Sequence, residues 1–232
     1  MKYLLTFVLI IFNTISFAQS FSYPIIKTTA SHVNDFVPVG WMILDSASGD
    51  LNKDGFNDVA VILQLKDSVS LVNSEADTVL TQPRVLIILF KNRIDNSFRL
   101  IEQSTSFILS HENSSMEDPY EDLVIENGIL QFRFRLFYSA GSWDITNANY
   151  KFRYIGGQFI LIGADKYILI RASLNYKEYS YNFLNGKRSF TTGNEEKHTK
   201  KTEWKAINLS SIKNLKTFAA PFTWEVEKDF FL

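Results

Sequence analysis

One run limits the architecture more than any other. Val85-Leu86-Ile87-Ile88-Leu89-Phe90, entered from Pro83 and Arg84, is apolar at every position. Successive side chains of a strand point to opposite faces, so a strand of this composition needs apolar cover on both sides. The run therefore predicts a central strand in a layered β structure. Residues 59–65 form a second apolar, β-branched run of strand length. Further along, strict alternation takes over. Phe132, Phe134 and Leu136 oppose Gln131, Arg133 and Arg135, while Tyr150, Phe152 and Tyr154 oppose Lys151 and Arg153. Asn127-Gly128, Gly156-Gly157 and Asn185-Gly186 separate these runs as hairpin turns.

The expected fold is mainly β: a compact antiparallel sheet or sandwich-like domain, with a partial propeller-like arrangement as a variant. One short C-terminal helix is expected after Ser210-Ser211, with Ile212, Leu215 and Ala219 on one face and Pro221 ending it. Residues 66–82 and 138–149 read as polar connections, 107–109 as a short strand, 166–172 as a strand separate from 158–162, and 222–230 as an edge strand. A hydrophobic content of 46% in 232 residues, with 20 Phe, suffices for one sizeable core.

The amino terminus reads as a secretory signal peptide. Lys2 is the positive region, residues 4–17 are the apolar stretch, and Ser16-Phe17-Ala18 presents small residues for cleavage before Gln19. Asn13 and Thr14 interrupt the stretch, which falls short of the ~20 residues a spanning helix needs. The expected organisation is a signal peptide over 1–18 and a single β-rich domain over 19–232. The product is exported, periplasmic or secreted, with no stable membrane insertion after cleavage. The chain has no cysteine, which excludes disulfides, thiolate metal sites and a cysteine nucleophile. A net charge of −1 gives no bias toward nucleic acid.

The stretch carrying most chemistry is Asp50-Leu51-Asn52-Lys53-Asp54-Gly55-Phe56-Asn57-Asp58. Oxygen-bearing side chains recur at Asp50, Asn52 and Asp54, Gly55 permits a sharp bend, the carbonyl of Phe56 can face inward, and Asp58 closes the set. This is the pattern by which a short loop wraps a hard cation, and calcium is the expected cofactor. Three carboxylates in nine residues otherwise repel one another. The twelfth position holds Val61 where an EF-hand needs glutamate, and a strand follows where an EF-hand has a helix. Asp45 just upstream is expected to hydrogen-bond the loop backbone.

On Asp50, Asn52, Asp54, Gly55, Asp58 and the strand after them, the loop resembles the calcium loop of integrin-alpha-type FG-GAP repeats, also called VCBS-like repeats. Residues 128–137, 150–165 and 181–187 are also similar to the hairpins of small exported proteins carrying one such loop. The resemblance implies a strand-flanked calcium site. A seven-bladed propeller needs more residues and more repeats than this chain has. An exported protein meets calcium near millimolar levels in many environments, so such a site is expected to be structural.

Motifs for catalysis are missing. His111-Glu112 begins like a zinc-protease signature, but Ser115 stands where the second histidine belongs. Ser142 follows a glycine without the rest of a nucleophile elbow. Two polar groups stand out. Glu117, Asp118, Glu121 and Asp122 form an acidic loop whose carboxylates could serve glycoside hydrolysis if held across a cleft. Arg133, Arg135, Lys151 and Arg153 fall on one face if their strands pair, and with Trp143 form a candidate ligand face. Adjacent like charges need neutralising. Internal acids such as Glu178 or Glu203, an anionic glycan or a protein could do so. The expected function is a non-catalytic binding or surface-associated domain whose partner is a protein or a glycan. The alternative is a secreted carbohydrate-active enzyme or carbohydrate-binding module.

Overall fold

The computed structural model describes residues 21–72, 77–111, 113–209 and 211–232. The expected signal peptide over 1–18 lies outside the described residues, as do Glu112 and Ser210. In chain order the strands are β1 (Thr29–Ala30), β2 (Trp41–Gly49), β3 (Asp58–Leu65), β4 (Val69–Val72), β5 (Thr78–Thr81), β6 (Arg84–Lys91), β7 (Phe98–Ser104) and β8 (Tyr120–Glu126). There follow β9 (Ile129–Leu136), β10 (Asp144–Ile155), β11 (Gln158–Ile170), β12 (Asn175–Asn182), β13 (Lys187–Asn194), β14 (Thr199–Ala206), β15 (Glu225–Glu227) and β16 (Phe230–Phe231). One sheet has the order β1-β7-β6-β3-β2, and a second runs as a meander, β14-β13-β12-β11-β10-β9-β8. All pairings are antiparallel, and among the described residues neither sheet closes into a barrel.

The two apolar runs behave as their composition requires. On β3 and β6, Ala60, Ile62, Leu86, Ile88 and Phe90 enter a core shared with Leu130, Phe132, Phe134, Tyr150, Phe152 and Leu161 of the second sheet. The alternate residues Val61, Leu63, Val85, Ile87 and Leu89 face the other way, into a second cluster closed by Phe21, Ile26 and Phe36 of the amino-terminal arm and by Trp41 at the start of β2. Each such side chain, fully buried, contributes roughly 1.5–3 kcal/mol. The arm thus supplies the third layer. It makes a 3-10 turn over Val33–Phe36 that turns Phe36 inward.

Phe107 sits at the centre of the shared core. Its ring lies 4.9 Å from Phe132, 5.4 Å from Phe152 and 5.7 Å from Phe218. The expected strand over 107–109 does not form. The segment is irregular, and Phe107 enters the core as a plug between the sheets.

Three other expectations are corrected. No C-terminal helix forms among the described residues. Leu161 and Leu215 donate backbone hydrogen bonds to Lys213 and Phe159, so residues 213–215 pair with the start of β11. That edge is open because β12 pairs with β11 only from Gly163 onward. A single turn then brings Phe218 beside Leu215 in the core. Residues 66–82 contain the β4–β5 hairpin, which packs as a separate two-stranded sheet. Finally, β10 begins at Asp144, inside the expected connection, and β11 runs unbroken through the expected gap at 163–165. Residues 144–149 have weak strand character, but all six pair with β11 and 146–149 also pair with β9, so tertiary pairing overrides local preference. A bulge at Lys151/Phe152 lets these long strands bend over the core.

At the far edge of the second sheet, all eight residues of β14 are exposed. The C-terminal hairpin β15–β16 lies over the inner face nearby. Phe230 packs 4.1 Å from the ring of Tyr179, and Glu227 accepts hydrogen bonds from Tyr181 and Arg188.

Candidate functional site

The loop between β2 and β3 folds on its own carboxylates. Asp50 Oδ1 accepts from the Asp54 amide at 3.1 Å and Asp50 Oδ2 from the Gly55 amide at 2.9 Å. Asn52 Oδ1 accepts from the Asp54 amide at 3.0 Å, and Asp54 Oδ1 from the Phe56 amide at 2.9 Å. Gly55 takes the bend at φ +87, a left-handed conformation that residues with a Cβ rarely adopt. The alternating oxygens therefore form a tight nest of side-chain-to-backbone turns.

Asp58 is different. It is wholly buried, and its Oδ2 accepts from the amides of Leu51 at 3.0 Å and Asn52 at 3.3 Å. Oδ1 accepts from the Lys91 amide at 3.0 Å, so one side chain joins the loop to the end of β6. No lysine, arginine or histidine among the described residues forms an ion pair with it. Burial pushes its carboxyl up to about 6, the nearby Asp54 charge adds to the rise, and the three amides oppose it. A buried carboxylate without a countercharge is costly, and the usual remedies are a proton or a cation.

The donor set is of the right chemistry for calcium: carboxylates, a side-chain amide and backbone carbonyls, all hard oxygens on one loop. Asp50, Asn52, Asp54 and Asp58 and the Phe56 carbonyl are the residues that would hold the ion. Among the described residues no three His, Cys, Asp or Glu side chains already converge on one point, because Asp50 and Asp54 turn to the loop amides. Asp45 lies apart from the loop. It accepts from the Ser46 amide at 2.7 Å and from the Tyr120 hydroxyl at 2.5 Å, which ties β2 to β8 of the second sheet.

Beside the loop is a hollow of 430 Å³ that Asn52 and Asp54 share with Lys91, Arg93 and Arg99. The guanidinium of Arg93 stands 5.5 Å from the centre of the Phe56 ring.

Three of the four cations of the basic row are paired with acids, while Arg153 forms no ion pair among the described residues and its Nε is buried without a hydrogen-bond partner. Arg133 pairs with Asp122 at 2.9 Å, Arg135 with Glu117 at 3.4 Å and Lys151 with Asp165 at 2.6 Å. The neutralising acids are these, not Glu178 or Glu203. Glu203 pairs with Lys201, and Glu178 stands opposite Tyr167, away from the basic row. Asp118 is held by Arg84, which is 6% exposed and also donates to Gln64 Oε1 at 2.9 Å and the Leu109 carbonyl at 2.5 Å. Burial alone would raise the Asp118 carboxyl, but the Arg84 guanidinium outweighs it and holds it below the usual range. Three carboxylates of the acidic loop are thus committed to arginines.

The candidate ligand face is split along the strand. Arg133, Arg135, Lys151 and Arg153 do lie on the outer face of the second sheet, opposite the buried Phe132, Phe134, Tyr150 and Phe152. Trp143, however, precedes β10 while Arg153 lies near its end, about 33 Å away at ~3.3 Å per residue. Trp143 instead shares a hollow with Arg171, a residue without any local sequence signal, and Arg171 and Arg135 both stand over the ring of Phe137. No family model, curated protein or solved structure matches the chain.

Proposed function

We propose that the chain is an exported, non-catalytic binding or surface-associated domain whose β2–β3 loop holds a structural calcium ion in the manner of FG-GAP or VCBS-like loops. The observation that carries this reading is Asp58, a wholly buried carboxylate with no ion-pair partner among the described residues, next to a nest of oxygen donors in calcium-loop order. Bound there, the ion supplies the positive charge that lets the loop carboxylates ionise together. The chain's own part is to position the donors. Asp58 anchors the loop to the Lys91 amide, and Gly55 turns it back toward β3. The pairing of Glu117, Asp118 and Asp122 with Arg135, Arg84 and Arg133 supports the non-catalytic side, since glycoside hydrolysis needs carboxyl groups facing a substrate.

The test is a thermal melt in millimolar calcium and in excess chelator, with Asp54→Ala alongside. Calcium at about 100 times its dissociation constant should add about 2.7 kcal/mol by mass action, seen as a rise in Tm that Asp54→Ala abolishes. Superimposable melts of the unmodified protein in the two buffers reject the calcium site.

A further inference from the structure

The connection between β9 and β10 borders an open hollow of 460 Å³, lined by residues 139–143 with Arg171 and Ala172. That is within the range of small-molecule sites, roughly 300–1,000 Å³. Three features give it a chemistry. First, the indole of Trp143 is 73% exposed and lines this hollow, whereas the similarly exposed Trp204 lies on the edge strand β14. A flat apolar ring left in water beside a hollow suits a ligand with an apolar face of its own, such as the C–H face of a sugar ring.

Second, Arg171 is a cation without an acid. No carboxylate of the described residues forms an ion pair with it. One amino group donates to the Ser142 carbonyl, while Nε is buried and has no hydrogen-bond partner. The guanidinium stands 5.0 Å from the centre of the Phe137 ring, and Arg135 stands 5.2 Å from the same ring. Arg135 is matched by Glu117, so the uncompensated charge here is that of Arg171. Third, the connection is held at both roots. The Glu117 amide donates to the Phe137 carbonyl at 3.0 Å and the Ser139 amide to Ser115 at 2.8 Å. At the other root the Arg171 amide donates to Trp143 at 2.9 Å. A connection already fixed loses little entropy when a ligand arrives.

We infer that this hollow is a subsite for a uronic-acid residue of an anionic polysaccharide, with Trp143 carrying the sugar ring and Arg171 receiving its carboxylate. A planar guanidinium fits a carboxylate in two-point contact, which a lysine cannot reproduce. The inference rests on the reading of the chain as a binding domain and not on calcium.

The experiment is calorimetric titration with oligomers of galacturonate, glucuronate and mannuronate, against methyl-esterified galacturonate oligomers and dextran sulfate. At least one uronate should bind. Trp143→Ala and Arg171→Gln should each weaken it by about tenfold or more, as expected for loss of a stacked ring or a charge-assisted contact, with Arg171→Lys intermediate. Trp143 is exposed, so Trp143→Ala keeps the fold and the test stands even if Arg171→Gln does not. No binding by any of the three uronates overturns the inference, as does equal binding of the ester, binding of dextran sulfate alone, or binding that survives Trp143→Ala. A calcium-dependent melt without uronate binding removes this subsite and leaves the metal reading in place. Uronate binding with a calcium-independent melt does the reverse.

Discussion

Asp58 offers the sharpest physical test, because burial and its amide partners act on it in opposite directions. In metal-free protein its carboxyl is raised from 3.8 to about 6. Between those values the folded state holds a proton that the unfolded state has lost, so stability falls as pH rises. The group's full stabilising share is present below 3.8, declines through the window, and is gone above 6. A rise of about two pH units corresponds to roughly 3 kcal/mol, about half of it lost above pH 5. Asp58→Asn removes this titration while keeping one acceptor oxygen. Asp58→Ala leaves the amides of Leu51, Asn52 and Lys91 without their acceptor, at about 1–3 kcal/mol for each one that stays dry. The assay is urea unfolding from pH 4 to 8 on protein stripped of metal by dialysis. The unmodified protein should lose stability toward pH 8 relative to Asp58→Asn, and saturating calcium should flatten that difference by holding the carboxylate ionised. Parallel profiles for the two metal-free proteins would refute the burial argument outright.

Two further outcomes follow from packing. Phe107→Ala should cost about 3–5 kcal/mol in urea unfolding, since its ring is wholly buried against Phe132 and Phe152 of the second sheet and Phe218; a loss under 1 kcal/mol, the size of an exposed-loop change, would show that it is no plug. At Gly49 an added Cβ would stand 2.5 Å from Ile125 Cγ2, where β2 meets β8. Gly49→Ala should therefore destabilise by about 1–3 kcal/mol, and Ile125→Ala in the same chain should recover part of that loss. Strict additivity of the two changes would mean that the sheets do not touch there.

Much of the fold could be read from patterning alone. Val85–Phe90 demanded two covers, and the second sheet and the amino-terminal arm provide them. Phe132, Phe134, Tyr150 and Phe152 alternate so regularly that their shared face needed no tertiary information. The failures have a common cause, which is pairing between distant segments. Ile212, Leu215 and Ala219 are spaced for a helix, yet Leu215 and Phe218 meet the same need for burial from a single turn once 213–215 has paired with β11. Residues 144–149 have weak strand propensity and are strand because β11 pairs with all of them and β9 with 146–149. The oxygen order of the loop was legible, whereas the isolation of Asp58 beneath it depends on the Lys91 amide, 33 positions away. Arg171 was invisible for a similar reason, since it comes to Trp143 only through the register of β10 on β11.

The outermost strand, β14, sets how the second sheet ends. Nothing among the described residues pairs with its far side, and its eight residues are open to solvent. An edge of this kind is a template onto which another chain can add a strand. Lys201 and Lys205 are paired with Glu203 and Glu227, which leaves Lys200 as the ammonium of β14 without an ion pair among the described residues, and a charge on an edge strand disfavours that addition. The open end of the sheet is therefore guarded by charge and not by cover, and neutralising Lys200 would remove the one ammonium of β14 that has no ion pair among the described residues.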